Sequence, residues 1–302
     1  MQHTTQLLMI QPVNFGFNAE TAVNNSFQKN TGGDMQQKAL QEFNDFVAVL
    51  RTNKIDVTVI EDSIEPATPD SIFPNNWISF HDDGRIFLYP MFAVNRRRER
   101  KAAVLDAVKN KFVVAEIVDL SKAEANKFFL EGTGSMVLDR ENKIAYACIS
   151  PRTDEKLLRE FCGQVKYQPL TFRSTDGAGV EIYHTNVMMC IADSYAVICL
   201  ESITDTAEKE NLLASLQKTN KEIVDISLQQ LNSFAGNMLQ VKNTDEELLL
   251  VMSTQAYESL TVMQIETLQK HNRIIHSPLN NIETAGGGSA RCMMAEVFLE
   301  RK

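Results

Sequence analysis

The sequence predicts an α/β protein in which five strand–strand–helix–strand units close into a ring. Apolar stripes with helical spacing recur five times, and a β-rich run follows each of them. Each run then leads through a polar or glycine-rich corner into another strand. The residues just before the five inner strands are 58, 52, 51 and 54 positions apart; they are Asn76, Gly134, Asn186, Asn237 and Arg291. Such regular spacing is typical of repeat architectures.

The individual elements follow from the periodicity of apolar residues. Helices are expected at residues 37–51, 97–110, 154–164, 206–218 and 255–271. The β-rich runs that follow them cover residues 55–60, 112–118, 164–172, 222–226 and 273–279. Paired strands are expected at 77–80 with 86–89, 135–138 with 144–149, 186–191 with 195–200 and 238–241 with 248–253. The last inner strand, at 291–299, lacks a hairpin partner, and the run at 7–11 is available to pair with it and close the ring.

Composition narrows the class of protein. The chain has 302 residues, of which 44% are hydrophobic and 23% are charged, as is typical of a globular protein. Its longest apolar runs have six residues, whereas a membrane-spanning helix needs about 20. A net charge of −9 argues against general affinity for nucleic acid or anionic lipid. Five cysteines without a Cys-x-x-Cys pair, and a start unlike a signal peptide, predict reduced thiols and a cytoplasmic protein. The closed five-unit repeat predicts one domain, residues 1–302.

The corners between units are where distant residues can meet. In a radially repeated sheet protein, equivalent strand ends point towards the same axis. One corner carries the carboxylate Glu131, another the imidazole His184, and the last the thiol Cys292. A nucleophile, an acid–base group and an orienting carboxylate suffice for covalent catalysis, so no metal or organic cofactor is expected.

At these corners the chain resembles the guanidino-group modifying enzymes of the pentein superfamily. That group includes arginine deiminases, dimethylarginine dimethylaminohydrolases, amidinotransferases and citrulline-hydrolysing relatives. The resembling segments span essentially the whole chain; they are Asp70-Ser71-Ile72-Phe73, Glu131-Gly132-x-Gly134, His184 and Cys292. The resemblance implies a five-bladed α/β propeller in which Cys292 is the nucleophile, His184 the acid–base group and Glu131 its partner.

Each catalytic candidate also has an ordinary structural interpretation. Cys292 would then be a small core residue, His184 a hydrogen-bonded core histidine, and Glu131 one half of a structural ion pair. Their matching positions in the repeat favour catalysis. A nearby cation such as Arg291, or the substrate itself, is expected to favour the thiolate.

Substrate-binding residues are implied by the same resemblance. Two segments resemble those whose arginines hold the substrate α-carboxylate, and they supply Arg96, Arg97 and Arg152. A charged helix face would also explain Arg96 and Arg97, and a solvated helix start would explain Arg152. Asp70 is expected either to bind the substrate α-amino group or to cap a turn.

Three asparagines depart from the family pattern. Arginine deiminases have an acidic residue two positions after the histidine, where this chain has Asn186, and the dimethylaminohydrolases have acidic residues where it has Asn75 and Asn76. Amides leave the charge of a buried guanidinium uncompensated, whereas a neutral ureido group offers donors and an acceptor that suit them. We therefore predict hydrolysis of a ureido amino acid such as citrulline to ornithine, ammonia and carbon dioxide.

Several alternatives remain open. Within the same fold they are an arginine deiminase, a dimethylarginine dimethylaminohydrolase or an amidinotransferase. Some five-fold pentein proteins are ribosome-binding factors without chemistry, but they lack the Glu, His and Cys set, and the acidic charge argues against RNA. Residues 15–34, rich in Asn, Gly and Thr, are expected to cover the pocket. The expected partner is a small amino acid, and a homodimer is left open.

Overall fold

The computed structural model describes residues 2–30 and 32–302, so Met1 and Thr31, which belong to the predicted start and pocket cover, lie outside it. The described residues form five sheets of three strands each. In every sheet the central strand pairs antiparallel with an inner strand and parallel with an outer strand. Parallel neighbours need a crossover connection, and here a helix supplies it. The strand–strand–helix–strand repeat is therefore confirmed.

The strands, in the order inner, central and outer, group into sheets as follows. They are β15 (Ala295–Glu296), β1 (Gln6–Gln11) and β2 (Asp56–Glu61); β3 (Ile78–Phe80), β4 (Arg85–Leu88) and β5 (Glu116–Asp119); β6 (Val137–Asp139), β7 (Ile144–Cys148) and β8 (Gln168–Phe172); β9 (Met189–Ile191), β10 (Tyr195–Ile198) and β11 (Glu222–Asp225); and β12 (Leu239–Lys242), β13 (Leu248–Ser253) and β14 (Arg273–Ser277).

Helices fall into three groups. The crossover helices are α2 (Met35–Thr52), α3 (Ala102–Lys111), α5 (Glu155–Val165), α7 (Thr206–Lys218) and α10 (Val262–Gln269). The shorter α-helices are α1 (Ala19–Ala22), α4 (Gly132–Ser135), α6 (Thr185–Met188), α8 (Leu228–Asn232), α9 (Thr254–Ser259), α11 (Asn280–Gly286) and α12 (Ala290–Met293). The 3₁₀ helices are Pro74–Asn76, Asn95–Glu99, Ser121–Asn126 and Leu200–Ser202. Within the described residues, none of these helices has the length and apolar character to span a membrane.

Polar caps fix where the crossover helices begin. Asp34, Asp154 and Asp205 each accept a hydrogen bond from the backbone N–H three residues later. Each cap satisfies a donor that the helix itself leaves without a partner. The apolar stripes then pack beneath the sheets; in α2 they bury Phe43 and Phe46 completely.

Two predicted helices are interrupted. The one expected at 97–110 is a 3₁₀ helix followed by α3, with the break at Arg100. The one expected at 255–271 is α9 followed by α10, because Leu260 is extended and Thr261 forms a capping box that begins a new helix. The apolar period continues across both breaks, and periodicity therefore predicted one helix where the caps produce two.

Pairing between the chain ends closes the ring. Leu7 and Leu8 of β1 lie opposite Glu296 and Ala295 of β15, and β1 therefore supplies the missing partner. Inner strands of neighbouring sheets also contact one another: β15 contacts β3, and β9 contacts both β6 and β12. This arrangement confirms the five-bladed α/β propeller.

Short helical turns precede four of the inner strands. The prediction that these strands begin directly at the corner residues is therefore wrong. Cys292 was expected to begin a strand, but it lies in α12, and Asn186 lies in α6. The helix α4 contacts both the Pro74–Asn76 turn and α6, and α12 contacts the Pro74–Asn76 turn. The corners of different blades are therefore in direct contact.

Candidate active site

The contacting turns enclose a small cavity. Its free volume is about 10 Å³, room for about one water molecule. The predicted site residues that line it are Asp70, Asn76, Arg96, Arg152, His184 and Cys292. Side chains from the N-terminal segment, Thr21 and Asn25, cover it on one side, as expected for residues 15–34. The propeller thus brings together residues that lie more than 200 positions apart.

A buried carboxylate–imidazole pair forms one wall. Glu131 precedes α4 and His184 precedes α6, and Nε2 of His184 lies 2.8 Å from Oε2 of Glu131. The other carboxylate oxygen accepts a hydrogen bond of 2.9 Å from the backbone N–H of Phe92. Both side chains are almost inaccessible to solvent, so the carboxylate fixes the orientation of the ring.

The protonation of this pair follows from its surroundings. Burial alone would raise the pKa of Glu131, but Arg152, the hydrogen bond from His184 and Arg96 together hold that pKa well below its usual range. Burial lowers the pKa of His184 to about 4, against the opposing effect of Glu131. At neutral pH the imidazole is therefore neutral and able to accept a proton.

Glycine is required in the turn that carries Glu131. A Cβ atom on Gly134 would lie 2.8 Å from Nδ1 of His184 and 2.5 Å from Nδ2 of Asn76. At Gly132, where φ is +48°, it would lie 2.4 Å from the carbonyl oxygen of Asn75. The Glu-Gly-x-Gly pattern therefore allows the corners of two other blades to approach Glu131.

Two amide groups contact the sulfur of Cys292. Nδ2 of Asn186 lies 3.4 Å from Sγ, and Nδ2 of Asn237 lies 3.3 Å from it. The predicted cation is elsewhere: the Arg291 guanidinium donates to the carbonyl oxygen of Met294 at 2.8 Å and to Glu296 at 2.9 Å. Among the described residues Arg291 thus makes no hydrogen bond to the sulfur, but its guanidinium interacts with Cys292 through its charge, and its support for the thiolate stays a prediction.

Arg96 is fixed inside the site by a neighbouring acid. Its Nε and one terminal nitrogen bind the two oxygens of Glu99 at 2.8 and 2.9 Å, and Nη1 donates to Oδ1 of Asn76 at 2.8 Å. Both members of the Arg96–Glu99 pair are buried. The alternative that Arg96 belongs to a solvated helix face does not hold.

Arg97 points elsewhere and corrects the prediction that it binds substrate. It donates to the carbonyl oxygen of Met91 at 3.0 Å, lies 3.5 Å from Glu124 and covers the ring of Phe129. Asn75 is also set back from the cavity; its Oδ1 accepts a hydrogen bond from Nδ2 of Asn76 at 3.0 Å. Arg97 therefore supports the turn, and Asn75 orients the asparagine that does line the cavity.

Arg152 is buried rather than solvated. Its Nη1 lies 3.5 Å from Glu131, and its guanidinium carbon lies 4.7 Å from the centre of the Tyr183 ring. The remaining donors bind Oδ1 of Asn24 and the carbonyl oxygen of Thr21, at 2.9 and 2.7 Å. Arg152 thus connects the carboxylate of Glu131 to the covering segment.

Asp70 has one satisfied and one unsatisfied oxygen. Oδ2 accepts hydrogen bonds from Asn18 at 2.7 Å and Thr21 at 3.1 Å, and it lies 3.8 Å from Arg96. Oδ1 is buried without a hydrogen-bond partner among the described residues. Burial raises the pKa of Asp70 despite Arg96, and a cationic ligand would therefore stabilise its charged form.

Three residues that matter here escaped the sequence-based prediction. Asn237 was noted only as a corner position, although its amide contacts the sulfur. Glu99 was not predicted as a site residue, although it fixes Arg96. Tyr183 donates its hydroxyl hydrogen to the carbonyl oxygen of Gly287 at 2.6 Å, and its ring lies tilted against the His184 ring with centroids 4.7 Å apart. Position in the repeat was a usable signal for Asn237, which occupies the same corner as Asn186.

Within residues 2–30 and 32–302, no three His, Cys, Asp or Glu side chains cluster as a metal site.

Comparison with known proteins places the chain in a family. The family described as "N,N dimethylarginine dimethylhydrolase, eukaryotic" matches residues 11–299, nearly the whole chain. No curated protein matches the chain significantly. The predicted resemblance to guanidino-group modifying enzymes is thereby confirmed, and so is the prediction of an enzyme that hydrolyses C–N bonds; the non-enzymatic alternative is excluded.

Solved structures share the fold at low sequence identity. The N-terminal domain of ArgZ bound to substrate, an arginine dihydrolase from the ornithine–ammonia cycle in Cyanobacteria, is 17% identical with a TM-score of 0.76, and 98% of each chain is covered. AgrE in complex with L-arginine has the same identity and TM-score over 97% of this chain and 40% of its own. A dimethylarginine dimethylaminohydrolase adduct with S-methyl-L-thiocitrulline is 13% identical, with a TM-score of 0.66 over 97% and 99% of the two chains. The chain thus matches one domain of the longer neighbours.

Proposed function

We propose, from the premise that this chain belongs to the dimethylarginine dimethylhydrolase family, that it hydrolyses a neutral ureido amino acid, with citrulline as the first candidate. The observation that carries the proposal is the chemistry around the nucleophile. The sulfur of Cys292 contacts the amides of Asn186 and Asn237, and Asn76 lines the cavity between His184 and Arg96. Amide groups can pair with a ureido oxygen and its N–H groups without leaving a charge uncompensated.

The charged side of the cavity suits the amino-acid end of the substrate. Asp70, with its free oxygen, would receive the α-ammonium group. Arg152 would receive the α-carboxylate after releasing Asn24 and the carbonyl oxygen of Thr21. Because the closed cavity holds about one water molecule, substrate binding requires displacement of the segment that carries Thr21 and Asn25.

The proposed chemistry uses one thiol, one imidazole and one water molecule. His184, neutral at rest, takes the proton of Cys292, and the thiolate attacks the ureido carbon. The adduct expels an amine, which takes the proton from the imidazolium that Glu131 stabilises. His184 then deprotonates water, which cleaves the carbon–sulfur bond and regenerates the thiol. The carbamic acid released in this step loses carbon dioxide and so gives the second amine; overall, citrulline and one water molecule yield ornithine, ammonia and carbon dioxide.

We further propose that residues 1–302 act as one catalytic domain with a small amino-acid substrate. Pairing of β1 with β15 supports this, because the first and last strands share a blade. The same pairing brings the C-terminal Cys292 into the ring of corners. Removal of either end would therefore disturb the site.

Product analysis tests the substrate assignment. Purified protein is incubated separately with citrulline, arginine and asymmetric dimethylarginine, and ornithine, citrulline, ammonia and dimethylamine are quantified. Citrulline is expected to yield equimolar ornithine and ammonia, with arginine a poor substrate. Conversion of arginine to ornithine would point to an arginine dihydrolase, and release of dimethylamine to a dimethylaminohydrolase; either result with citrulline inert overturns the proposal.

A further inference from the structure

The amide of Asn237 has only one orientation that satisfies its neighbours. Its Oδ1 accepts a hydrogen bond of 3.0 Å from the backbone N–H of Arg291, which can only donate. Its Nδ2 donates at 2.8 Å to the carbonyl oxygen of Asn186, which can only accept. These two bonds fix the oxygen and nitrogen positions without reference to the sulfur.

The second hydrogen of that nitrogen is directed at the nucleophile. Nδ2 of Asn237 lies 3.3 Å from Sγ of Cys292, and both side chains are buried. An amide NH₂ group cannot accept a hydrogen bond, so the sulfur must be the acceptor. A thiolate is the better acceptor because it carries the full negative charge.

Asn186 adds a second donor from the neighbouring blade. Its Nδ2 lies 3.4 Å from the same sulfur, while its Oδ1 is buried without a partner among the described residues. Its backbone carbonyl oxygen holds Asn237, so the two asparagines form one unit. Among the described residues, these two amides are the side-chain hydrogen-bond donors to the sulfur, and the Arg291 guanidinium binds Glu296 instead.

We propose that Asn237 is a catalytic residue that, with Asn186, stabilises the thiolate of Cys292 through neutral amide donors. The inference rests on the proposed function, in that Cys292 is taken as the nucleophile, but not on which substrate it attacks. It explains how a buried sulfur can remain anionic once its proton has passed to the imidazole of His184. Preorganised donors of this kind act where charge develops and need no rearrangement during the reaction.

The test is the pH dependence of alkylation of Cys292 by iodoacetamide, followed by mass spectrometry of the peptide that contains it. Asn237→Asp is the central variant, because it keeps an oxygen for the N–H of Arg291 and replaces the donor with an acceptor. Asn237→Ala removes the amide altogether. The expected result is a fall in alkylation rate at pH 7 of about ten-fold for the alanine variant and more for the aspartate variant. In both, the alkylation profile moves to higher pH.

A matched control separates this effect from loss of a buried amide. Asn272 also makes three hydrogen bonds, to Tyr195, Gln240 and the carbonyl oxygen of Leu268, away from the cavity. Asn272→Ala should lower the melting temperature and leave the alkylation profile unchanged. A wild-type profile in both Asn237 variants overturns the proposal, as does an equal shift in Asn272→Ala. Because alkylation needs no substrate, a failed citrulline assay would leave this result interpretable.

Discussion

Two buried glutamates experience opposite electrostatic environments. On the charged side, Glu131 lies beside His184, Arg152 and Arg96, and its pKa is held well below its usual range. Glu283 of α11, which lines a different pocket, receives a short hydrogen bond of 2.5 Å from the Ser289 hydroxyl, and burial raises its pKa to about 7. At neutral pH Glu131 is kept anionic, whereas Glu283 is about half protonated.

The difference shows that neighbouring cations outweigh burial at Glu131, whereas burial dominates at Glu283. On our proposal, the charged side receives the two charged ends of an amino acid. Around the thiol, the contacting groups are the neutral amides of Asn186 and Asn237, which we call the amide side. A net-neutral reacting group matches this arrangement better than a cationic one. Variants that remove or add charge on either side test this division.

The largest expected effect comes from removing the nucleophile. Cys292→Ser is predicted to lower kcat by at least about 10⁴-fold, because serine is a far weaker nucleophile in a site built around a thiolate. The change is nearly isosteric, so the circular dichroism spectrum and melting temperature should stay close to those of the wild type. Retention of a tenth of the activity would remove Cys292 from the mechanism.

Removing the charge of Glu131 should act on both catalysis and stability. Glu131→Gln is predicted to lower kcat by about 10²–10⁴-fold, since His184 loses its anionic partner. The variant also leaves Arg152 and Arg96 undercompensated, at a cost of about 3–5 kcal/mol in unfolding free energy. Steady-state kinetics and urea unfolding measure the two effects.

Glu124 provides the matched control for that variant. Glu131 accepts the backbone N–H of Phe92, and Glu124 accepts that of Met91 while binding Arg100 outside the cavity. Glu124→Gln should therefore lose some stability and keep wild-type kcat. Equal losses of kcat in both variants would mean that Glu131 acts only by holding the 91–92 backbone.

The sequence predicted the convergence of Glu131, His184 and Cys292 because all three occupy the same position in a repeat. It did not distinguish Arg96 from Arg97. These neighbours lie in a 3₁₀ helix, where successive side chains diverge by about 120°, and Glu99, three residues after Arg96, selects the one that faces inward. The turns α4, α6 and α12 have four residues each, which is too few to show an apolar period of 3.6 residues in the sequence. They were therefore missed.

A carboxylate placed on the amide side should reverse the preference for a neutral group. Asn186→Asp is predicted to lower kcat/KM for citrulline by about 10²-fold, because an anion would then lie at the 3.4 Å position beside the sulfur. Binding of arginine, measured by calorimetry, should strengthen. Asn272→Asp places a buried carboxylate away from the cavity and should leave the ratio of citrulline to arginine binding unchanged. If Asn186→Asp also leaves that ratio unchanged, the amides do not select the substrate.

The smallest expected effect concerns Glu283 and appears as pH-dependent stability. Its folded-state pKa of about 7 lies above the ordinary value of 4.5, so the folded protein binds more protons than the unfolded chain between these values. The stabilising contribution is complete below pH 4.5 and is lost as pH rises through 7. The corresponding loss of unfolding free energy is about 3 kcal/mol.

Glu283→Gln removes this titration while leaving an oxygen to accept the Ser289 hydroxyl. The unfolding free energy of the variant, measured in urea from pH 5 to pH 8, is expected to fall less with rising pH than that of the wild type. Subtracting the two curves cancels the contributions of other titrating groups. One of these is His184, whose lowered pKa reduces the unfolding free energy as pH falls from 6.5 towards 4. Parallel curves would show that Glu283 does not titrate between pH 5 and pH 8, which would contradict the raised pKa of this carboxyl group.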